Sequence, residues 1–181
     1  MKGVTRILCR SLATLVMLVL TSAALADVTL NEKALDNWLA TTKDFMPMQE
    51  VFESISKDSA IASQYTEEEF KALSLEKQDE LLDDMLKEQN AYDKVYKVLN
   101  QHDWGSAGDY MRVSSRLGMA IGAHMRDLMM QSLPPEQQQM MREMAGEVDA
   151  EPEDVALVSQ HWEKISSFMA ENMDTSDMPM P

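Results

Sequence analysis

The side chains in this chain best suited to chemistry are its methionines. There are 17 in 181 residues, and many crowd together: Met125, Met129, Met130, Met140, Met141 and Met144, then Met178 and Met180. A thioether is a soft donor of the kind that selects Cu(I). Met141 and Met144 stand three apart, and Met46/Met48 and Met178/Met180 each flank a proline. Such pairs can offer two sulfurs to one Cu(I) or Ag(I) ion, with His124 beside Met125 as a further donor. Methionine also has purely physical uses. It is unbranched and polarisable, fills irregular gaps in a core, and makes apolar surfaces that adapt to different partners. The segment "SLPPEQQQMMREM" (132–144) bears on the choice. Pro134 and Pro135 stop one helix and start another. Leu133 serves as an apolar staple, and Met140, Met141 and Met144 share a face at i, i+1 and i+4. The candidate partner-binding set is therefore Met129, Met130, Leu133, Gln137, Met140, Met141 and Met144. Ordinary packing, an adaptable protein-binding face and soft-metal binding all stay open for it.

Nucleophilic, acid–base and hard-metal chemistry find no comparable concentration. His102, His124 and His161 lie in separate segments, without the one-turn spacing of an HExxH zinc site. "WGSAG" (104–108) places a serine between small residues, but Trp104 stands where a nucleophile elbow needs glycine. The elbow also needs a strand before it, and this chain has no strand pattern. Ser106 reads better as a helix cap. The acidic run "DAEPED" (149–154) carries Pro152 and lacks the mid-loop glycine of a calcium loop. The expectation is a protein that is not an enzyme, with no cofactor and no assigned metal site.

The elements that must position these residues are helices. Apolar residues recur at helical spacing in several windows, and none alternates as a strand would. Leu35, Trp38, Leu39 and Phe45 form a first stripe, headed by a predicted capping box of Thr29 and Glu32 and ended or kinked by Pro47. Val51, Phe52 and Ile55 continue it. Thr66 with Glu69 predicts a second capping box, and Ser74 precedes a stretch with Leu82, Met85, Leu86, Tyr92, Val95, Tyr96 and Leu99 as contacts. Whether residues 75–101 make one bent helix or two stays open. Ser106 with Asp109 predicts a third box. It opens a long central helix with Tyr110, Ser114, Leu117, Gly118, Ile121, Met125 and Leu128 along one side. Ser114, Gly118 and Gly122, spaced by four, predict a groove in which another helix approaches closely. Gly146 closes a short helix from about Glu136. Pro152, at a first-turn position, opens a last one whose buried face is Val155, Val158, Trp162, Ile165 and Met169.

Composition bounds the setting. Residues 1–26 carry Lys2, Arg6 and Arg10, then an apolar run from Leu12, then Ala24-Leu25-Ala26, the pattern of a cleaved export signal. The run is shorter than the roughly 20 residues a spanning helix needs. Cys9 leaves with it, so the mature chain is expected to hold together in an oxidising compartment without disulfides. Removing three of the 16 Lys and Arg leaves 13 against 31 Asp and Glu, a formal charge of −18. That field disfavours nucleic acid and anionic lipid and favours basic or apolar partners. The predicted organisation is a signal peptide over 1–26, one all-α helical domain of about five to seven helices over 27–173, and a disordered tail over 174–181.

Two resemblances add to this. "KVLNQHDWGSAGDYMRVSSRLGMAI", a proline-containing break and "EPEDVALVSQHWEKISSF" resemble a group of small secreted all-helical proteins of Gram-negative bacteria. Trp104, Ser106, Asp109, Tyr110 and Arg116 hold that group's turn, cap and arginine positions. The resemblance implies export and a helical fold but no particular activity. "LPPEQ" (133–137) is similar to the LTxxQ element of the Spy/CpxP family of periplasmic, stress-induced helical chaperones and regulators. Leu133 and Gln137 match it, and Pro134 replaces the threonine. Together the readings predict a non-catalytic periplasmic binding protein, chaperone-like or related to envelope stress. Its partners would be envelope proteins or unfolded clients. A periplasmic Cu(I)/Ag(I)-binding protein is the alternative.

Overall fold

The computed structural model describes residues 30–139 and 150–172, and every regular element among them is helical. The all-α expectation therefore holds. The predicted signal segment, Thr29, Met140, Met141, Met144, Gly146 and the predicted tail lie outside the described residues.

Helix α1 spans Glu32–Phe45. Its N-cap is Asn31, whose Oδ1 accepts the Ala34 amide at 2.9 Å. Pro47 does not simply end it. The chain tightens into a 3₁₀ turn over Met46–Met48 and resumes as α2, Gln49–Asp58. Helix α3, Glu67–Lys71, begins with the predicted box complete: Thr66 Oγ1 accepts the Glu69 amide, and the Glu69 carboxylate accepts from the Thr66 amide.

Residues 75–101 are two helices, α4 (Leu75–Glu88) and α5 (Tyr92–Gln101). The break is a left-handed residue, Asn90, at φ 53°. The Ala91 amide donates back to Leu86 O at 2.8 Å and the Asn90 amide to Lys87 O at 3.0 Å. This pair of hydrogen bonds is the Schellman closure, and the two residues that bracket it, Leu86 and Ala91, are buried in one cluster. Asp103, at φ 58°, ends α5 in the same way, with the Trp104 amide donating to Leu99 O at 3.1 Å. Asparagine and aspartate take this conformation more readily than other non-glycine residues.

Helix α6, Ala107–Ser132, is the longest at 26 residues, about 39 Å at 1.5 Å per residue. It is central, as predicted, and packs against α1, α4, α5 and the following helix α7, Pro152–Gln160. The last stretch, predicted as one helix, breaks at His161, and α8 runs over Trp162–Asn172. These breaks raise the helix count among the described residues to eight. The predicted buried face survives: Val158 and Ile165 are fully buried, with Val155, Trp162 and Met169 packed at their edge.

Three apolar clusters hold the helices together. Leu35, Leu39, Val113, Leu117, Ala120, Val158 and Ile165 join α1, α6, α7 and α8. Phe45, Leu86, Ala91, Val95, Leu99 and Ala107 form the second, and Phe70, Leu81, Leu82 and Met85 the third. Each fully buried leucine contributes roughly 1.5–3 kcal/mol. No helix among the described residues is long and apolar enough to cross a membrane.

Candidate binding surface

The first half of α6 is devoted to architecture. Ser106 caps it by accepting the Asp109 amide at 3.0 Å, while its own hydroxyl donates to Asp79 Oδ2 of α4 at 2.8 Å. One of these bonds caps α6 and the other ties it to α4, so this serine holds two helices together. The Asp109 carboxylate turns to Arg112, at 2.7 Å. Arg112 also donates to both oxygens of Asp79, at 2.8 and 3.2 Å. Burial works against the guanidinium's charge, but its hydrogen bonds to the Asp79 and Asp109 carboxylates outweigh it and raise the pKa above the ordinary arginine value. One turn on, Arg116 grips Asp154 of α7 through two parallel bonds of 2.8 and 2.7 Å.

The aromatic groups are anchored in the same way. The Trp38 indole donates to Ser114 Oγ at 2.9 Å and the Trp104 indole to Thr41 Oγ1 at 2.7 Å. The Tyr110 hydroxyl meets Thr42 Oγ1 at 3.0 Å, and burial pushes its pKa up. A buried indole or phenol needs a polar partner, and that requirement was the available signal for these pairs. Trp104, Ser106, Asp109, Tyr110 and Arg116, the residues that carry the resemblance to secreted helical proteins, thus each make a structural contact.

Close approach occurs at Gly108, outside the predicted groove. A Cβ on Gly108 would stand 1.8 Å from Asp79 Oδ1, so α4 lies against α6 there. At Gly122 no neighbouring atom comes within 4 Å of a Cβ's position. The groove of Ser114, Gly118 and Gly122 therefore has no helix seated at its Gly122 end, and its Ser114 end receives Trp38 instead.

The histidines stay apart. His102 Nε2 lies 2.8 Å from Asp44 Oδ2, and His161 Nδ1 lies 4.0 Å from Glu32 Oε1. His124 packs its ring on Trp162 with centroids 4.6 Å apart, its Nε2 buried and without a hydrogen-bond partner. Among the described residues no three or more His, Cys, Asp or Glu side chains gather where they would hold a metal ion. Asp154 of the acidic run is committed to Arg116.

The second half of α6 is different. Met125 and Leu128, on the same predicted stripe as Leu117, are each 41% exposed, and Met129 is 53% exposed. Leu117, on the same stripe, is fully buried. At i, i+3 and i+4 the three exposed side chains form one apolar row beside the open Gly122 position. Of the predicted binding set, Met129 belongs to this row. Met130 and Leu133 are half-buried, and Gln137 is exposed on the short helical stretch 135–139. That stretch starts where Pro134 O accepts the Gln137 and Gln138 amides, both at 3.0 Å. Met140, Met141 and Met144 lie outside the described residues. The predicted binding set left out Met125 and Leu128, because helical periodicity marks a face without saying where along it the neighbouring helices stop.

Compared with known proteins, the chain matches no family model, no curated protein and no solved structure.

Proposed function

We propose that this chain is an exported, non-catalytic binding protein of the periplasm. It engages envelope proteins or their unfolded forms, in a chaperone-like or stress-related role, through the methionine-rich face at the end of α6. The observation that carries this reading is the row Met125, Leu128 and Met129, three large apolar side chains held in solvent by a rigid helix. A contiguous exposed apolar patch costs solubility and marks an interaction surface when a protein keeps it. Methionine suits such a surface because its flexible thioether adapts to unlike partners. The leader-like first 26 residues support the compartment, and the similarity of Leu133–Gln137 to the LTxxQ element supports the role. The test is light scattering of a reductively unfolded client. At equimolar ratio the wild-type protein suppresses aggregation, and a Met125→Gln/Leu128→Gln/Met129→Gln variant does not. Equal suppression by both, or by neither, counts against the reading.

A soft-metal role has one observation in its favour. Met125 and Met129 are both exposed and four residues apart, so their thioethers share a face. Anaerobic competition for Cu(I) against a weak chelator tests it: uptake must vanish when the two methionines become leucine.

A further inference from the structure

Peroxides oxidise sulfur side chains, and the susceptibility of each sulfur follows its exposure. Cys9 is the chain's one cysteine, so no thiol among the described residues competes with the methionines for an oxidant. Among the described methionines only Met125 and Met129 are exposed. Met46, Met48, Met111, Met119, Met130 and Met169 are half-buried, and Met85 is buried in the third cluster. The two described thioethers that an oxidant in water reaches most freely therefore both stand in the apolar row at the end of α6, on either side of Leu128.

We infer that Met125 and Met129 are modification sites at which a peroxide switches the α6 face off. The switching rests on the binding role proposed above; the reactivity of the two sulfurs does not. In the reaction a sulfur lone pair takes one peroxide oxygen, and the S–O bond forms as the O–O bond breaks. The thioether gives up two electrons and the peroxide is reduced. Its other oxygen leaves as water, with the proton released by the transferred one. The product sulfoxide is polar and chiral. Under an apolar partner its oxygen loses water without gaining a hydrogen bond, and such burial is unfavourable. The face thus loses its grip. The fold stays, because neither side chain belongs to the three apolar clusters. Enzymatic reduction restores the surface, with one reductase for each sulfoxide epimer.

Treatment of the mature chain with hydrogen peroxide tests this, with oxygen uptake at each methionine followed by peptide mass spectrometry. Met125 and Met129 are expected to react at least about tenfold faster than Met85. The oxidised protein is freed of peroxide before the client is added, and circular dichroism checks that its helicity is unchanged. It no longer suppresses client aggregation at equimolar ratio, and the paired reductases restore suppression. A Met125→Leu/Met129→Leu variant keeps the apolar row without its sulfur and suppresses aggregation before and after peroxide. Reaction of Met125 and Met129 no faster than Met85 overturns the site assignment. Selective oxidation that leaves suppression intact overturns the switch and leaves the binding role standing. Equal loss in the leucine variant places the effect on other methionines and overturns the inference. Helicity lost on oxidation assigns the effect to the core and overturns it too. Absence of suppression before any peroxide is added overturns the binding role and the switch together, while the reaction rates still decide whether these two sulfurs are the modified sites.

Discussion

Arg116 and Asp154 face each other across the junction of α6 and α7, guanidinium to carboxylate, through two bonds of 2.8 and 2.7 Å. Both side chains are largely buried, with Asp154 at 4% exposure. The pair fixes the start of α7 against the middle of α6 and so sets where the cover over α6 begins.

Removing one partner leaves a buried charge without its counter-ion, which costs about 3–5 kcal/mol. Asp154→Ala is expected to lower unfolding stability by that order in urea titration. Replacing both, as Arg116→Met with Asp154→Leu, is expected to recover most of the loss, because two apolar groups of similar size need no desolvation.

Gly108 and Asp79 give a second test. Alanine usually stabilises a helix by about 1 kcal/mol over glycine, yet a Cβ at 108 would stand 1.8 Å from Asp79 Oδ1. That carboxylate is held by Ser106 and Arg112. Moving it forfeits bonds to a charged group worth roughly 1.5–3 kcal/mol each. Gly108→Ala is therefore expected to destabilise by about 1–3 kcal/mol despite the better propensity. In an Asp79→Ala background the same change should cost little, a non-additivity that a double-mutant cycle reads directly.

Acid should weaken the α2–α4 region first. Hydrogen bonds from the Thr66 backbone and side chain lower the Glu69 pKa, and those from the Ser59 hydroxyl and the Ala60 amide lower that of Glu88. A carboxylate whose folded pKa lies below its unfolded value, roughly 4.3 for glutamate, stabilises the fold above that value. The contribution is lost as pH falls through the lower folded pKa. The urea midpoint is expected to drop between about pH 5 and pH 3, and Glu69→Gln with Glu88→Gln should flatten that drop.

Much of the fold was legible because its signals are local. Thr66 with Glu69, Ser74 and Ser106 announced helix starts, and the stripes around Leu35, Leu99 and Val158 marked the sides that became core. What sequence could not supply was longer-range or finely balanced. Asn90 and Asp103 end helices in a left-handed conformation that the other described asparagines and aspartates do not adopt. Gly108, rather than Gly122, receives a neighbour, because α4 happens to cross there. Ser106 caps its helix as predicted, but Asp109 goes to Arg112 since a buried guanidinium competes for it. The candidate surface was half legible: methionine clustering pointed to this part of the chain, yet the period that sets Met125 and Leu128 in line with Leu117 does not tell an exposed turn from a buried one.

The most direct measurement follows the methionine methyl groups by NMR in protein labelled at those carbons. On addition of an unfolded client, the Met125 and Met129 signals are expected to shift or broaden, while buried Met85 in the third cluster stays unchanged. Perturbation confined to Met85 and other interior methionines, or client binding that leaves Met125 and Met129 untouched, would contradict a binding face on α6.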